Sequence, residues 1–488
     1  MHLSYPPLFK SLCYINGCWV HSEDGTTAEV VNPANLETVG YVSMLSAEEI
    51  ASAVTAAHRA QVTWQRLALK ERSRLLHRWG QLVSQHREDL AQLLTLEQGK
   101  PIQEARGEID YAASFIPWFA EEARRLNGHN IPSHIDDAHL GTIKEPVGVA
   151  VLLTPWNFPS AMITRKAAAA LAVGCTVVVK PAHETPFSAL ALAQLAEEAG
   201  IPPGVFNVVL GEPQVAMSTL VQHPLVGSVS FTGSTRVGKL VSQAVAASGV
   251  KKLALELGGN APFIVTEDAD LARAVDVAVA AKFQTSGQDC CAANRILVHR
   301  SLYEPFVEQF GQKVAQLEVG HGLEESTDIG PLIHQGAVEI THARVQDALA
   351  QGARLVTKAA VVPENGCFVA PTVLADVTPG MRVFQEEVFA PVAAVMPFDT
   401  LDEAVSLAND TEYGLAAYVC ASRQDVIWQL MRRLNFAMVA INGAKFTGPP
   451  IPFGGMKASG LGREGGQDGF EPFVETKYFC LSNLGIAA

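Results

Sequence analysis

Two residues of suitable type and spacing suggest the chemistry of this chain: the thiol of Cys290 and the carboxylate of Glu256, 34 residues before it. The thiol follows a turn-forming Gly287-Gln288 in the run Gln284-Thr285-Ser286-Gly287-Gln288-Asp289-Cys290-Cys291-Ala292. The carboxylate opens Glu256-Leu257-Gly258-Gly259-Asn260. A cysteine is a strong nucleophile as its thiolate, and a thioester formed on it turns over when a nearby carboxylate activates water. The pair therefore points to covalent catalysis followed by hydrolysis. Singly, neither residue is diagnostic. Free cysteine is among the most buried residue types, and a glutamate before two glycines is often a surface residue at a strand end.

Such a pair needs a large framework to hold it. The chain has 488 residues, 48% hydrophobic and 18% charged, enough for more than one core and for two large domains with a small appendage. A formal charge of −14 opposes a broad basic surface for nucleic acid. The amino terminus lacks a basic segment followed by an apolar stretch and a cleavage site. The longest apolar runs, such as 167–173, are broken by Gly174 and are too short for a bilayer. A soluble, cytoplasmic protein with no membrane partner is expected. The eight cysteines form no CxxC pair and the fourteen histidines no HExxH cluster, so neither a disulfide framework nor a metal site is indicated.

Residues 47–125 carry apolar positions at helical spacing, with a break at Gly99-Lys100-Pro101. Strands are expected at 147–153, 176–179 and 227–231 with helices between them. The helix after Lys180 has Thr185 as a candidate cap, Pro186 in its first turn, and Gly200 with Pro202-Pro203 at its end. A second alternating series places strands at 262–265, 295–299, 392–396, 416–420 and 438–442, with helices from Leu271, Leu302, Leu401 and Gln424. This predicts an α/β fold of two doubly wound, Rossmann-like domains. Residues 1–129 and 146–255 would form the first and 256–474 the second, meeting near residues 256–260. The segments 130–145 and 475–488 read as β structure belonging to neither series.

Seven strings occur in order along the chain: Thr154-Pro155-Trp156-Asn157-Phe158-Pro159, Val177-Val178-Val179-Lys180-Pro181, Phe231-Thr232-Gly233-Ser234, Leu255-Glu256-Leu257-Gly258-Gly259-Asn260, Gly287-Gln288-Asp289-Cys290, Glu386-Glu387-Val388-Phe389-Ala390-Pro391 and Pro452-Phe453-Gly454-Gly455. Together they resemble the NAD(P)-dependent aldehyde dehydrogenases. Residues 9–481 resemble the succinate-semialdehyde dehydrogenase branch, most closely at 95–101, 161–166 and 457–465. The resemblance implies that Cys290 attacks the aldehyde carbon, that Asn157 and the Cys290 N–H hold the oxyanion, and that Glu256 activates water against the thioester. Glu464 would either relay a proton or form a structural salt bridge. Segments 130–145 and 475–488 would join copies into a homodimer or homotetramer.

The usual GxGxxG is absent after the opening strand of the first domain. Phe231-Thr232-Gly233-Ser234 instead puts a strand end, a glycine and a hydroxyl before a helix, where N–H groups and the helix dipole can hold a phosphate. The resemblance adds Thr154, Pro155, Trp156 and Leu257 to the cofactor site and places Lys180 on the adenosine ribose. Glu387 and Phe389 would hold the nicotinamide ribose and flank its ring, and Ala390, standing in place of a glycine, would tighten that turn. NAD-preferring relatives often carry a glutamate where this chain has His183, followed by Glu184. Loss of that carboxylate removes repulsion against a 2′-phosphate, so NADP is expected alongside or ahead of NAD.

That branch grips a substrate carboxylate with two arginines and a hydroxyl. Arg165 matches the first arginine, but Gln284 stands where the second would lie. Phe158 and Phe453 would line the substrate, Thr447 supplies a candidate hydroxyl, and Lys445 is either a cation for the substrate or simply solvated. The expected substrate is succinic semialdehyde or another short anionic aldehyde. A neutral or aromatic aldehyde, and noncatalytic structural use of the fold, are the alternatives. Some members carry a second thiol two residues after the nucleophile, where this chain has Ala292. Cys291 is adjacent to Cys290, and an adjacent-cysteine disulfide needs a strained ring, so at most weak redox regulation is expected.

Overall fold

The structure is a computed structural model that describes residues 3–357 and 361–482; the last six residues of the expected 475–488 segment lie outside the described residues. The helical stretch resolves into Ala47–Trp64, Leu69–Gln85, Arg87–Gln98 and Ile102–Glu122. A capping box between Ser46 and Glu49 starts the first, and Gly99 at φ 94° ends the third, at the break expected from Gly99-Lys100-Pro101. The first helix packs on the first sheet and the other three on the helices Ala161–Val173 and Pro186–Glu198, with Trp64, Trp79, Phe115 and Phe119 all buried.

The first sheet has eight strands. Five are parallel: Lys252–Glu256, Val226–Thr232, Val149–Leu153, Thr176–Lys180 and Phe206–Val208, in that spatial order. Strand order reverses between Val149–Leu153 and Val226–Thr232, so the carboxyl ends of these two strands flank the switch-point crevice where ligands bind in open α/β sheets. Antiparallel additions close both edges. Cys13–Ile15 and Cys18–Val20 lie beyond Phe206–Val208, and Gly460–Leu461 pairs with Leu255 and Glu256 on the other side. The chain thus returns to the first sheet late in its course.

The second sheet has seven strands, in the order Arg354–Leu355, Thr372–Ala375, Val392–Phe398, Ala293–His299, Ala261–Val265, Ala416–Cys420 and Met438–Ile441. All neighbours are parallel except the first pair. Val474–Ser482, Ala138–Pro146 and Asn130–Ile131 form a separate antiparallel sheet. Among the described residues, no helix is long and apolar enough to cross a membrane.

The expected cap at Thr185 is corrected. Its side chain makes no cap hydrogen bond, and its hydroxyl is buried without a partner. The carboxylate of Glu97, from the helix Arg87–Gln98, instead accepts the N–H groups of Phe187 at 2.7 Å and Ser188 at 2.8 Å. Burial pushes the Glu97 carboxyl up to about 8, with the bonds from Ser188 and Phe187 opposing the rise, and its two oxygens meet two helix N–H groups where one hydroxyl could meet only one.

One buried ion pair ties the helical layer to the sheet. Lys100 Nζ lies 2.6 Å from Glu108 Oε2, with both side chains shut from solvent. Lys100 also donates to the Asn157 carbonyl at 2.8 Å, and Glu108 Oε1 accepts the Ser160 N–H at 2.9 Å. Removing one member of such a pair strands the other charge. Glu108→Gln is expected to lower stability by about 3–5 kcal/mol, measured by urea unfolding with tryptophan fluorescence; an unchanged midpoint would contradict this account.

Candidate active site

Cys290 is presented by a turn that needs outside support. The helix Leu271–Phe283 leads into Gln284–Gly287, where Thr285, Ser286 and Gly287 have φ of 51°, 55° and 73°. Left-handed backbone costs an L-residue roughly 1–2 kcal/mol, so two consecutive non-glycine residues must be held. The Thr285 N–H donates to Glu104 at 2.8 Å, the Ser286 hydroxyl donates to the Gly330 carbonyl at 2.9 Å, and Gln288 Oε1 accepts the Ile333 N–H at 3.0 Å. Gly287 and Gly259 are required by close approach. A Cβ on Gly287 would lie 2.3 Å from the Ala390 carbonyl oxygen, and one on Gly259 would lie 2.2 Å from that of Cys290.

Asn157 follows the strand Val149–Leu153, with its carbonyl held by Lys100. Its Nδ2 donates to the Gln288 carbonyl at 3.0 Å, which brings the expected oxyanion donor against the nucleophile loop. The second amide hydrogen remains available.

Glu256 ends the strand Lys252–Glu256, and neither of its buried carboxylate oxygens has a hydrogen-bond partner among the described residues. Burial pushes its pKa up to about 8, with Glu464 adding to the rise and Arg165 and Lys166 opposing it. Cys290 is pushed well above the usual thiol value, first by the neighbouring Cys291 thiol, then by burial and by Glu256. At neutral pH the nucleophile and the base therefore rest uncharged. Glu464 behaves oppositely: burial pushes its pKa up, but ion pairs with Arg165 and Lys166 outweigh it and hold the carboxyl low. Of the two roles expected for Glu464, this geometry displays the salt bridge.

Arg165 is buried, pairs with Glu464 through one edge and lies 4.2 Å from the Phe453 ring. Its Nη2 has no hydrogen-bond partner among the described residues. Tyr111, which sequence reasoning missed, lies beside both Arg165 and Thr447; burial pushes its phenol up and these two neighbours oppose the rise. Arg165, Thr447, Phe453 and Tyr111 therefore converge, and Phe158 stacks on Lys100 at 4.0 Å. Gln284 and Lys445 are both exposed and are not drawn into this polar cluster.

The expected cofactor residues gather at the carboxyl ends of the parallel strands. Ser234 caps the helix Thr235–Ser248, accepting the Val237 N–H at 3.3 Å, and the Gly233 N–H donates to the Glu256 carbonyl at 3.0 Å. Phe231 is buried beneath Gly233, and Leu257 packs where a Cβ on Gly238 would fall. Burial pushes the Lys180 amine down, while Glu184 and Glu212 pull it up. His183 Nδ1 lies 3.3 Å from Glu184. Glu387 Oε1 accepts the Gly259 N–H at 2.9 Å, and burial pushes its carboxyl up to about 7. Trp156, beside Pro155, meets Phe389 edge-on at 5.6 Å. The left-handed residue of that turn is Phe389 at φ 52°, one position before the Ala390 expected to tighten it.

Residues 19–479 match the model of the aldehyde dehydrogenase family. The chain belongs to that family. It is 56% identical to a non-phosphorylating aspartate-semialdehyde dehydrogenase of Halomonas elongata, over 98% of this chain and 97% of that protein. It is 47% identical to the NADP(+) succinate-semialdehyde dehydrogenase GabD of Escherichia coli, over 99% of this chain and all (100%) of that protein. A crystal structure of an E. coli NADP-dependent enzyme superposes with a TM-score of 0.97 at 47% identity, covering 99% of this chain and 100% of that one.

Aldehyde dehydrogenases of this family use NAD or NADP, and the residues of this one fit a dinucleotide. The hydroxyls of Thr154 and Thr232, at the two strand ends that flank the switch point, are buried without partners among the described residues. Beside them lie an amine at Lys180 and a helix amino terminus suited to a pyrophosphate. Two tests follow. His183→Glu is expected to weaken NADP binding about tenfold and leave NAD binding no weaker, read by fluorescence titration; unchanged NADP affinity would exclude repulsion at this position. Because Glu256 becomes a base as pH rises through about 8, thioester hydrolysis in single turnovers should gain rate across that range. Glu256→Gln should lose at least about 100-fold and the pH dependence with it; a retained pH dependence would assign the titration elsewhere.

Proposed function

We propose that this aldehyde dehydrogenase oxidises a short semialdehyde with a carboxylate at its far end to the free acid. The observation that carries this reading is the buried Arg165, whose unpartnered Nη2 offers a donor to a carboxylate in a site where Tyr111 and Thr447 add hydroxyls. A buried guanidinium donor left unpaired is costly, and a carboxylate matches its geometry. The names of the two relatives fit the same class.

In its ionised form Glu256 takes the thiol proton and passes it to solvent as Cys290 Sγ bonds to the aldehyde carbon. The carbonyl oxygen becomes an oxyanion, held by Asn157 Nδ2 and the Cys290 N–H; loss of one such donor typically costs about 2.7–4 kcal/mol. When bound, the nicotinamide supplies the hydride acceptor that raises the carbon to the acyl level. Glu256 then takes a proton from water, whose oxygen attacks the thioester carbon. The C–S bond breaks, the acid leaves and the sulfur regains its proton.

Within this class, Asp289 favours a substrate that also carries an ammonium group. Its carboxylate lies within 4.8 Å of both Cys290 Sγ and Cys291 Sγ, where a negative charge opposes thiolate formation; a substrate cation would remove that opposition. The three-stranded sheet, with Ile143, Tyr478 and Leu481 exposed, is the proposed contact between copies in a dimer or tetramer.

The test is kcat/KM for succinic, glutaric and aspartic semialdehydes and neutral aldehydes, with NAD and NADP in parallel. Semialdehydes should exceed neutral aldehydes at least tenfold, an advantage lost in Arg165→Ala, and Asp289→Asn should selectively lower use of the aspartic compound. Neutral aldehydes leading by tenfold, unaffected by Arg165→Ala, would overturn the reading.

A further inference from the structure

The chemistry above leaves the half-buried carboxyl of Glu104 at the site without a task. Glu104 lies in the first turn of the helix Ile102–Glu122, and its Oε2 accepts the Thr285 N–H at 2.8 Å. Thr285 opens the run of three left-handed residues that precedes Cys290. Its carbonyl accepts the Gln288 N–H at 2.9 Å, so both backbone polar groups of Thr285 are fixed, one by Glu104 and one within the turn. The Gln288 carbonyl in turn accepts Asn157 Nδ2. A single line of hydrogen bonds therefore runs from Glu104 through the turn to the oxyanion donor beside Cys290.

The same helical turn braces the loop from a second side. Gln103 and Arg106 both bond Glu325, in the segment leading to Gly330, whose carbonyl accepts the Ser286 hydroxyl. We infer that Glu104 is a positioning residue for the nucleophile: its acceptor oxygen locks the strained Thr285 turn so that Cys290 and Asn157 face one reacting carbonyl. The role belongs to the oxygen as an acceptor rather than to the charge. Burial pushes the Glu104 carboxyl up to about 7, against Lys100 and the Thr285 N–H and with Asp289 adding to the rise, so the bond must serve in either protonation state.

This inference rests on Cys290 as the nucleophile. The experiment is the pre-steady-state burst of reduced cofactor with a saturating semialdehyde, in the full chain. A small displacement of the reacting groups is enough to slow acylation strongly, so Glu104→Ala is expected to slow the burst at least about tenfold, with cofactor Kd unchanged. Glu104→Gln, which keeps an acceptor oxygen, should stay within about threefold of wild type. Glu104→Asp keeps the charge but withdraws the oxygen by one methylene, and should slow the burst even if the alanine variant fails to fold. Glycine holds the left-handed conformation unaided, so Thr285→Gly should recover part of the loss in the Asp variant. A normal burst in Glu104→Asp, or equal losses in Gln and Asp, would overturn the positioning role. Full activity in Cys290→Ala would instead overturn the nucleophile assignment itself.

Discussion

The buried Lys100–Glu108 pair is the interaction on which the arrangement of the site depends. Each partner is fully occupied: Lys100 holds the Asn157 carbonyl and faces the Phe158 ring, and Glu108 caps the start of the next helix through the Ser160 N–H. A buried ion pair is not in itself a strong source of stability, because desolvation consumes most of the Coulomb gain. What it supplies here is geometry. The two charges hold each other at the start of the helix Ile102–Glu122, and each reaches across to the segment that carries Asn157, Lys100 to its carbonyl and Glu108 to the Ser160 N–H, so the helix is fixed against it.

That helix acts as a ruler. Glu104, Glu108 and Tyr111 are spaced by four and three residues and so share one face. In order along it they meet the turn before Cys290, the segment after Asn157, and the Arg165–Thr447 cluster. The three tasks proposed for the site, nucleophilic attack, oxyanion stabilisation and substrate anchoring, would thus be positioned from one rigid element. Preorganised donors need no reorganisation when charge develops, and a helix supplies that preorganisation better than loops held singly.

The residues proposed for the covalent chemistry stand in local motifs. Gly287-Gln288-Asp289-Cys290 and Leu255-Glu256-Leu257-Gly258-Gly259 each compress a turn or strand end and its reactive group into a few positions, and the alternating apolar runs located eight of the parallel strands within a few residues but not Phe206–Val208, Lys252–Glu256 or Thr372–Ala375. Residues that act across long sequence distances were not legible. Glu97 replaces Thr185 as the helix cap from about 90 residues away, and nothing local marks Tyr111 or Glu104 as more than positions on an amphipathic helix. The Cys13–Val20 hairpin is a different case. Asn16-Gly17, both at positive φ, is a strong hairpin signal, but strands of three residues offer too little alternation to be recognised as strands.

The electrostatics of the site follow from burial more than from any single partner. Glu464 lies between two cations and stays ionised, whereas Glu256, near the same cations but with no hydrogen bond, is pushed up to about 8. Two carboxylates a short distance apart therefore divide the work: one fixes Arg165 and Lys166, and the other stays free to carry protons. The division also bears on the substrate. A carboxylate bound at Arg165 uses up positive charge that would otherwise favour ionised Glu256, and so keeps the base protonated for longer. A substrate that also carries an ammonium group returns that charge beside Cys290 and Asp289. The same set of residues would then bind both anionic and zwitterionic semialdehydes, and the second kind would meet the more readily ionised nucleophile.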